Sequence, residues 1–308
     1  MQMKKAEQLR KRWENKGRQT YNYFDPQHYK YQEPQGDRVS LIGVSDVMLL
    51  IELALYSGYI HQERSVNLLI IANPESGKSE MLLAFRNNEG VIVPTDITAY
   101  KILEHYGDAM SAGEIKHLII PDLINPISKK QETAMQFVGF LNALIEEGVV
   151  DYESYLIQRD YSNQPARVGL LTSITPEYLA DRRHRLIQAG FMSRMLPVCY
   201  SYTEATAGRI RQYLASRGYH QEEGGITLQL PEDLRDTQLP VQMTERIIER
   251  AAVLGQATQT YGFRYQRQLQ VLAMASALKC GRDTVNQEDI DTVLRLTYLM
   301  DMNNPARL

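Results

Sequence analysis

Residues Val66–Leu82, VNLLIIANPESGKSEML, constrain the fold more than any other stretch of the chain. An unbroken apolar run of strand length leads into a polar turn holding Gly77, Lys78 and Ser79. SEMLLAF then continues with helical apolar spacing. This is the order G-x-x-x-x-G-K-[ST], in which a loop after a buried strand turns backbone N–H groups toward phosphate oxygens and opens onto a helix. Gly77 supplies the permissive backbone, Lys78 a mobile cation for the outer phosphates and Ser79 a hydroxyl for Mg²⁺. Ala72 stands where the pattern has its first glycine, so the cradle is Ala72, Asn73, Pro74, Glu75, Ser76, Gly77, Lys78 and Ser79.

The rest of the chain alternates in the same way. SDVMLLIELALY reads as an amphipathic helix that Ser45 can cap. After the phosphate loop, GVIVPTD reads as a strand, ITAYKILEHYG as a helix, IKHLIIPD as a strand ending in Asp122, and KQETAMQFVGFLNALIEEG as a helix. In VVDYESYLIQRDYSNQPARVGLLTSITP two β-rich runs flank the turn-forming DYSNQP, which predicts a hairpin running into another buried strand. Alternation of this kind predicts an α/β fold, a parallel sheet with helices on both faces. After Thr203 the pattern changes: 204–240 reads as a connector, irregular over EEGGITLQLPEDLRDTQLP, and 241–308 as a small helical domain of two or three helices.

Residues 1–38 form an arm outside the core, which spans 39–203. KKAEQLRKRWENKGR is basic around Trp13, and TYNYFDPQHYKYQEPQGDR is dense in Tyr, Gln and Pro with no helical period. The arm reads as a solvated or docking segment open to a protein partner; its aromatics with Lys30 and Arg38 could stack bases, but packing of the tyrosines on the domain surface is the favoured use. The formal charge of -3 leaves no global basic footprint, so any DNA contact must be local. There is no apolar run of membrane length and no secretory signal, so a cytoplasmic location is the expectation, with no membrane partner. Cys199 and Cys280 read as buried free thiols.

Taken in order, these segments resemble the ATPase domain of the AAA+ superfamily, and most closely the minichromosome-maintenance (MCM) helicase branch. The resemblance runs from LIGVSDVMLLIELALYSG through LLIIANPESGKSEML and the hairpin before LLTSITP. It continues to AGFMSRMLPVCYSY, similar to that branch's L-S-R-F segment, and to RQLQVLAMASALKCGRDTVNQEDIDTVLRL, similar to its helical lid. The individual motifs are degenerate and their order carries the resemblance. It implies ATP with Mg²⁺ as cofactors, Ser79 and Asp122 on the metal side, and a homo-oligomer, a hexameric ring. Arg194 stands where the family has the arginine finger that reaches the neighbouring subunit's nucleotide, and Arg267 where the lid contributes a phosphate-sensing arginine. In such a ring Arg159 and Arg167 of the hairpin would face the pore and DNA. Residues 1–38 are too few for the large N-terminal domain of that branch, so a compact relative without it is expected.

The family pattern fails at two further positions. Leu123 stands where the family has the Glu that polarises the attacking water, and Thr175 where it usually has Asn. Leucine accepts no proton, so the expectations are an ATPase that moves or remodels DNA or its partners, or a nucleotide-gated assembly protein with little turnover. Asp96, at the end of a strand expected beside that of Asp122, is either a substitute carboxylate or the cap of the following helix.

Overall fold

The apolar strands become a six-stranded sheet because each is buried on both faces and can only be covered by helices. The structure, a computed structural model, describes residues 41–95, 97–153, 158–217 and 225–308. The arm of residues 1–38 lies outside them. Arg38–Leu308 form one compact unit.

Helix α1 (Ser45–Ser57) precedes β1 (Leu68–Ile71), and the phosphate-loop turn leads to α2 (Lys78–Ala84). Next come β2 (Val91–Ile92), α3 (Ala99–Ser111), β3 (His117–Ile120), the short α4 (Ile124–Ile127) and α5 (Gln131–Ile145). The hairpin strands β4 (Asp151–Glu153) and β5 (Gln158–Asp160) precede β6 (Gly169–Ile174), α6 (Pro176–Gln188), β7 (Leu196–Ser201) and α7 (Glu204–Ala215). Helices α8 (Glu245–Ala257), α9 (Phe263–Lys279) and α10 (Gln287–Leu296) follow, and β8 (Ala306–Arg307) closes the chain.

The sheet order is β2-β3-β6-β1-β7-β8, and every pairing is parallel. β1 is flanked by β6 and β7, in the registers Ile71↔Ile174 and Leu68↔Leu196. The chain leaving β1 goes toward the β2 edge, whereas the chain leaving its neighbour β6 passes over β1 to β7. Loops that depart in opposite directions open a crevice beyond the carboxyl ends of the strands, the usual ligand position in open α/β sheets.

One face of the sheet, with Leu69, Ile71, Leu118, Ile120, Leu170 and Ile174, packs on apolar residues of α3, α5 and α6. Alternation along the strands puts the buried Leu68, Ile70, Ile119 and Leu171 on the opposite face. Helix α9 packs on α1; α1 and the second half of α9, from Val271 to Leu278, are buried around most of their circumference, as helices covered on several sides must be. Lys279–Glu52 and Arg295–Asp46 ion pairs tie the C-terminal helices to α1. His117 pairs in register with Gly169, where a Cβ would come within 2.7 Å of the imidazole. A side chain there would expel the ring.

Several local expectations change. Ser45 is the first residue of α1 and not its cap; Val44 occupies the cap position and no side chain bonds the free N–H groups. Helix α3 is capped by Thr98, whose hydroxyl accepts from Lys101 N at 3.2 Å. Asp96 lies outside the described residues, although β2, the strand it follows, does lie beside β3. The hairpin pairs Asp151 with Asp160 and Glu153 with Gln158, so the chain reverses before DYSNQP. That segment instead steers the chain into the Val149–Ala166 bridge and on to β6. The 204–240 connector begins with helix α7. Cys280 is exposed and only Cys199 is buried. No helix among the described residues is long and apolar enough to cross a membrane.

Candidate functional site

β1 ends at Ile71, and Ala72 follows with no exposed surface. It is not among the positive-φ residues, so its Cβ is accommodated without strain where the motif has glycine. Left-handed backbone occurs later in the turn, at Glu75 (φ 61°) and at Gly77 (φ 76°), the N-cap of α2. Glycine adopts that geometry freely, and Glu75 adopts it at a cost of about 1 kcal/mol. Strain of this kind is kept where a loop's shape matters.

The Lys78 side chain folds back under the turn. Its Nζ donates to the Asn73 carbonyl at 2.7 Å and to Ser76 Oγ at 3.4 Å, and Ser76 Oγ donates to the same carbonyl at 2.7 Å. Among the described residues its hydrogen-bond partners are therefore uncharged loop oxygens. Burial pushes the ammonium below its ordinary pKa, and the charge of Asp122 acts against that shift. A buried cation held only by neutral acceptors is stabilised by an incoming anion.

Two tyrosines brace the turn, Tyr200 from β7 and Tyr202 from just past its end. Tyr200 and Tyr202 both donate to the Ser76 carbonyl, at 2.7 and 2.8 Å. Sequence reasoning missed them, because their role depends on β7 lying beside β1; their i, i+2 spacing, which points both the same way along extended chain, is the only local signal.

The structure brings Ser79 and Asp122, the residues expected on the metal side, to the same crevice. Ser79 Oγ donates to the carbonyl of Pro121, the residue before Asp122, at 3.4 Å. Ser173 Oγ donates to that carbonyl at 2.6 Å, and Leu123 N donates to Ser173 O at 2.9 Å, which fixes the end of β3 against β6. Asp122 Oδ1 accepts from Ile124 N at 2.9 Å, an Asx turn that leaves its other oxygen for a ligand. Leu123 has no exposed surface and packs in the core. Thr175, after the β6 residue paired with Ile71, caps α6 by accepting from Tyr178 N at 3.4 Å.

Arg194 and Arg267 are not brought to this crevice in the same chain. Arg194 ends a 3-10 turn just before β7, at the amino end of the strands. Its carbonyl accepts from Asn67 Nδ2 and from Gln268 Nε2, both at 3.2 Å, and Asn67 N donates to Gln268 Oε1 at 3.0 Å. The length of β1, about 13 Å at strand rise, separates this network from the phosphate loop. Arg267 lies on the same edge, paired with Glu63 at 3.1 Å.

The hairpin cations have partners within the chain. Arg159 Nε is 3.8 Å from Asp108 Oδ1, and Arg167 donates to the Glu147 carbonyl at 2.8 Å. The chain matches no protein-family model and no curated protein.

Proposed function

We propose that this chain binds ATP with Mg²⁺ in the crevice at the end of β1, as an AAA+ protein most similar to the MCM branch, and assembles with copies of itself. The observation that carries the reading is Lys78, a buried ammonium whose hydrogen-bond partners among the described residues are neutral loop oxygens, at the sheet's topological switch point. Asn73 to Gly77 would wrap the phosphates, Lys78 would take the outer ones, and Ser79 with Asp122 would hold the metal. Mg²⁺ suits such a site, because it binds through one or two protein oxygens and the phosphates themselves.

Assembly follows from the reading of Arg194. At the opposite end of β1 from its own loop, this residue can serve a nucleotide only across a subunit boundary. The stacked Tyr261 and Phe263 support contact there: they are 85% and 72% exposed, and Phe263 immediately precedes Arg264 of the same edge. Exposed aromatics grouped in this way suit an interface. In this reading α8 to α10 act as the lid, although they belong to the same compact unit as the sheet.

Turnover coupled to DNA is the first form of the proposal, and a nucleotide-gated assembly protein is the second. Leu123 favours the second: its side chain is committed to the core, and the Thr175 hydroxyl is engaged as a helix cap. Phosphate release from ATP, measured with and without single- and double-stranded DNA, separates the two. Turnover that DNA stimulates, and that Lys78→Ala and Arg194→Ala both abolish, supports a motor. ATP-dependent assembly without turnover supports the gated scaffold.

A further inference from the structure

Glu146, the C-cap of α5, shares one largely buried carboxylate among three guanidinium groups. Arg64 Nη1 donates to Oε1, Arg264 Nε donates to Oε2 at 3.1 Å, and Arg194 Nε lies 3.7 Å from Oε2. Arg194 Nη2 is also 3.7 Å from the more exposed Glu147 Oε1, and Nη1 donates to the Gly190 carbonyl at 2.9 Å. Arg194 Nε is buried and makes no hydrogen bond.

The arrangement is built in several ways. The Arg194 backbone is clamped through its carbonyl by Asn67 and Gln268. Gly190 has φ 73°, and a Cβ there would come within 2.6 Å of Arg194 Nη1, so glycine lets the guanidinium lie back toward α5. The charge does not balance: Glu146 and the more exposed Glu147 face three cations, and the nearby Arg267 already has Glu63 as its partner. Burial lowers the pKa of Arg64 and of Arg194 and neighbouring arginines lower each further, while Glu147 acts against both shifts.

We propose that this cluster is an anion site in which Glu146 is the resident, replaceable counter-ion. Glu146 holds Arg64, Arg194 and Arg264 together in the free chain, and a phosphoryl group presented by a second copy displaces it. Guanidinium forks match phosphoryl oxygens in pairs, and a dianion in place of Glu146 supplies the negative charge that Glu146 and Glu147 together leave one short. The nucleotide as source rests on the function proposed above; the site itself does not.

The test uses the full chain carrying Lys78→Ala, so that the phosphate loop contributes nothing, with pyrophosphate as the probe in low-salt calorimetry. Binding is expected, tightening about tenfold when Glu146→Gln removes the competing carboxylate and disappearing with Arg194→Ala plus Arg264→Ala. Arg264→Gln alone, on the most exposed of the three arginines, is expected to weaken binding several-fold. Absence of binding, or an affinity unmoved by Arg264→Gln or by a cooperatively folded Glu146→Gln chain, overturns the site. If pyrophosphate binds but ATP-loaded wild-type chain does not associate with the Lys78→Ala chain, or a DNA oligonucleotide binds far better, the site stands and the second copy as its source is overturned.

Discussion

The Tyr200 hydroxyl donates to the Ser76 carbonyl at 2.7 Å, linking β7 to the turn that follows β1. Tyr202, one residue past the end of β7, repeats the contact. The loop's shape therefore depends on a strand more than a hundred residues away, which itself begins just after Arg194.

Removing both hydroxyls tests that link. Tyr200→Phe with Tyr202→Phe should lower stability by roughly 1 kcal/mol per lost hydrogen bond and weaken ATP binding several-fold. Urea unfolding and a calorimetric titration check this. Unchanged ATP affinity would mean that the tyrosines brace the sheet but not the loop.

Lys78 should show a trade-off between stability and binding. Lys78→Met removes a buried charge with neutral partners, so the nucleotide-free chain should melt a few degrees higher, a gain of about 1 kcal/mol. The same variant should lose the increase in melting temperature that Mg·ATP gives the wild type. A lower melting temperature without nucleotide contradicts the account of Lys78 as a cation awaiting an anion.

Leu123→Glu should not restore a catalytic acid. The side chain has no exposed surface, so the substitution buries an unpaired carboxylate and should cost about 3 kcal/mol or more. A variant as stable as the wild type, and faster in phosphate release, would show that the side chain can turn to the crevice.

His117 gives the chain a defined weakness to acid. Burial lowers its pKa from 6.5 to about 3, and its Nε2 has no hydrogen-bond partner. Above pH 6.5 the ring is neutral in both folded and unfolded chains. Between 6.5 and about 3 only the unfolded chain takes the proton, so this group removes about 1.4 kcal/mol of stability per pH unit as pH falls. His117→Leu should flatten the pH dependence of unfolding free energy across that window, and an unchanged slope would contradict the assignment.

The parts of the fold that were legible in the sequence are those encoded locally. The apolar run 66–71, the Gly-Lys-Ser turn and the helical spacing after it specify one strand–turn–helix unit, and repetition of that alternation gives the parallel sheet. Leu123 was read as Asp122's neighbour at the site, yet adjacent residues leaving a strand point in different directions, and only packing reveals which one faces inward. The Arg264–Glu146 pair spans 118 residues, a relation no local pattern carries. Helix starts were readable to within two residues, as the shifts from Ser45 to Val44 at the α1 cap and from Asp96 to Thr98 at the α3 cap illustrate.

The central claim is that the turn after β1 binds nucleotide through Lys78. Calorimetric titration of Mg·ATP into the purified chain, beside Lys78→Ala, tests it most directly. The account predicts one ATP bound per chain in the wild type and none in the variant. Absence of binding to the wild type, or equal affinity in both, would contradict it.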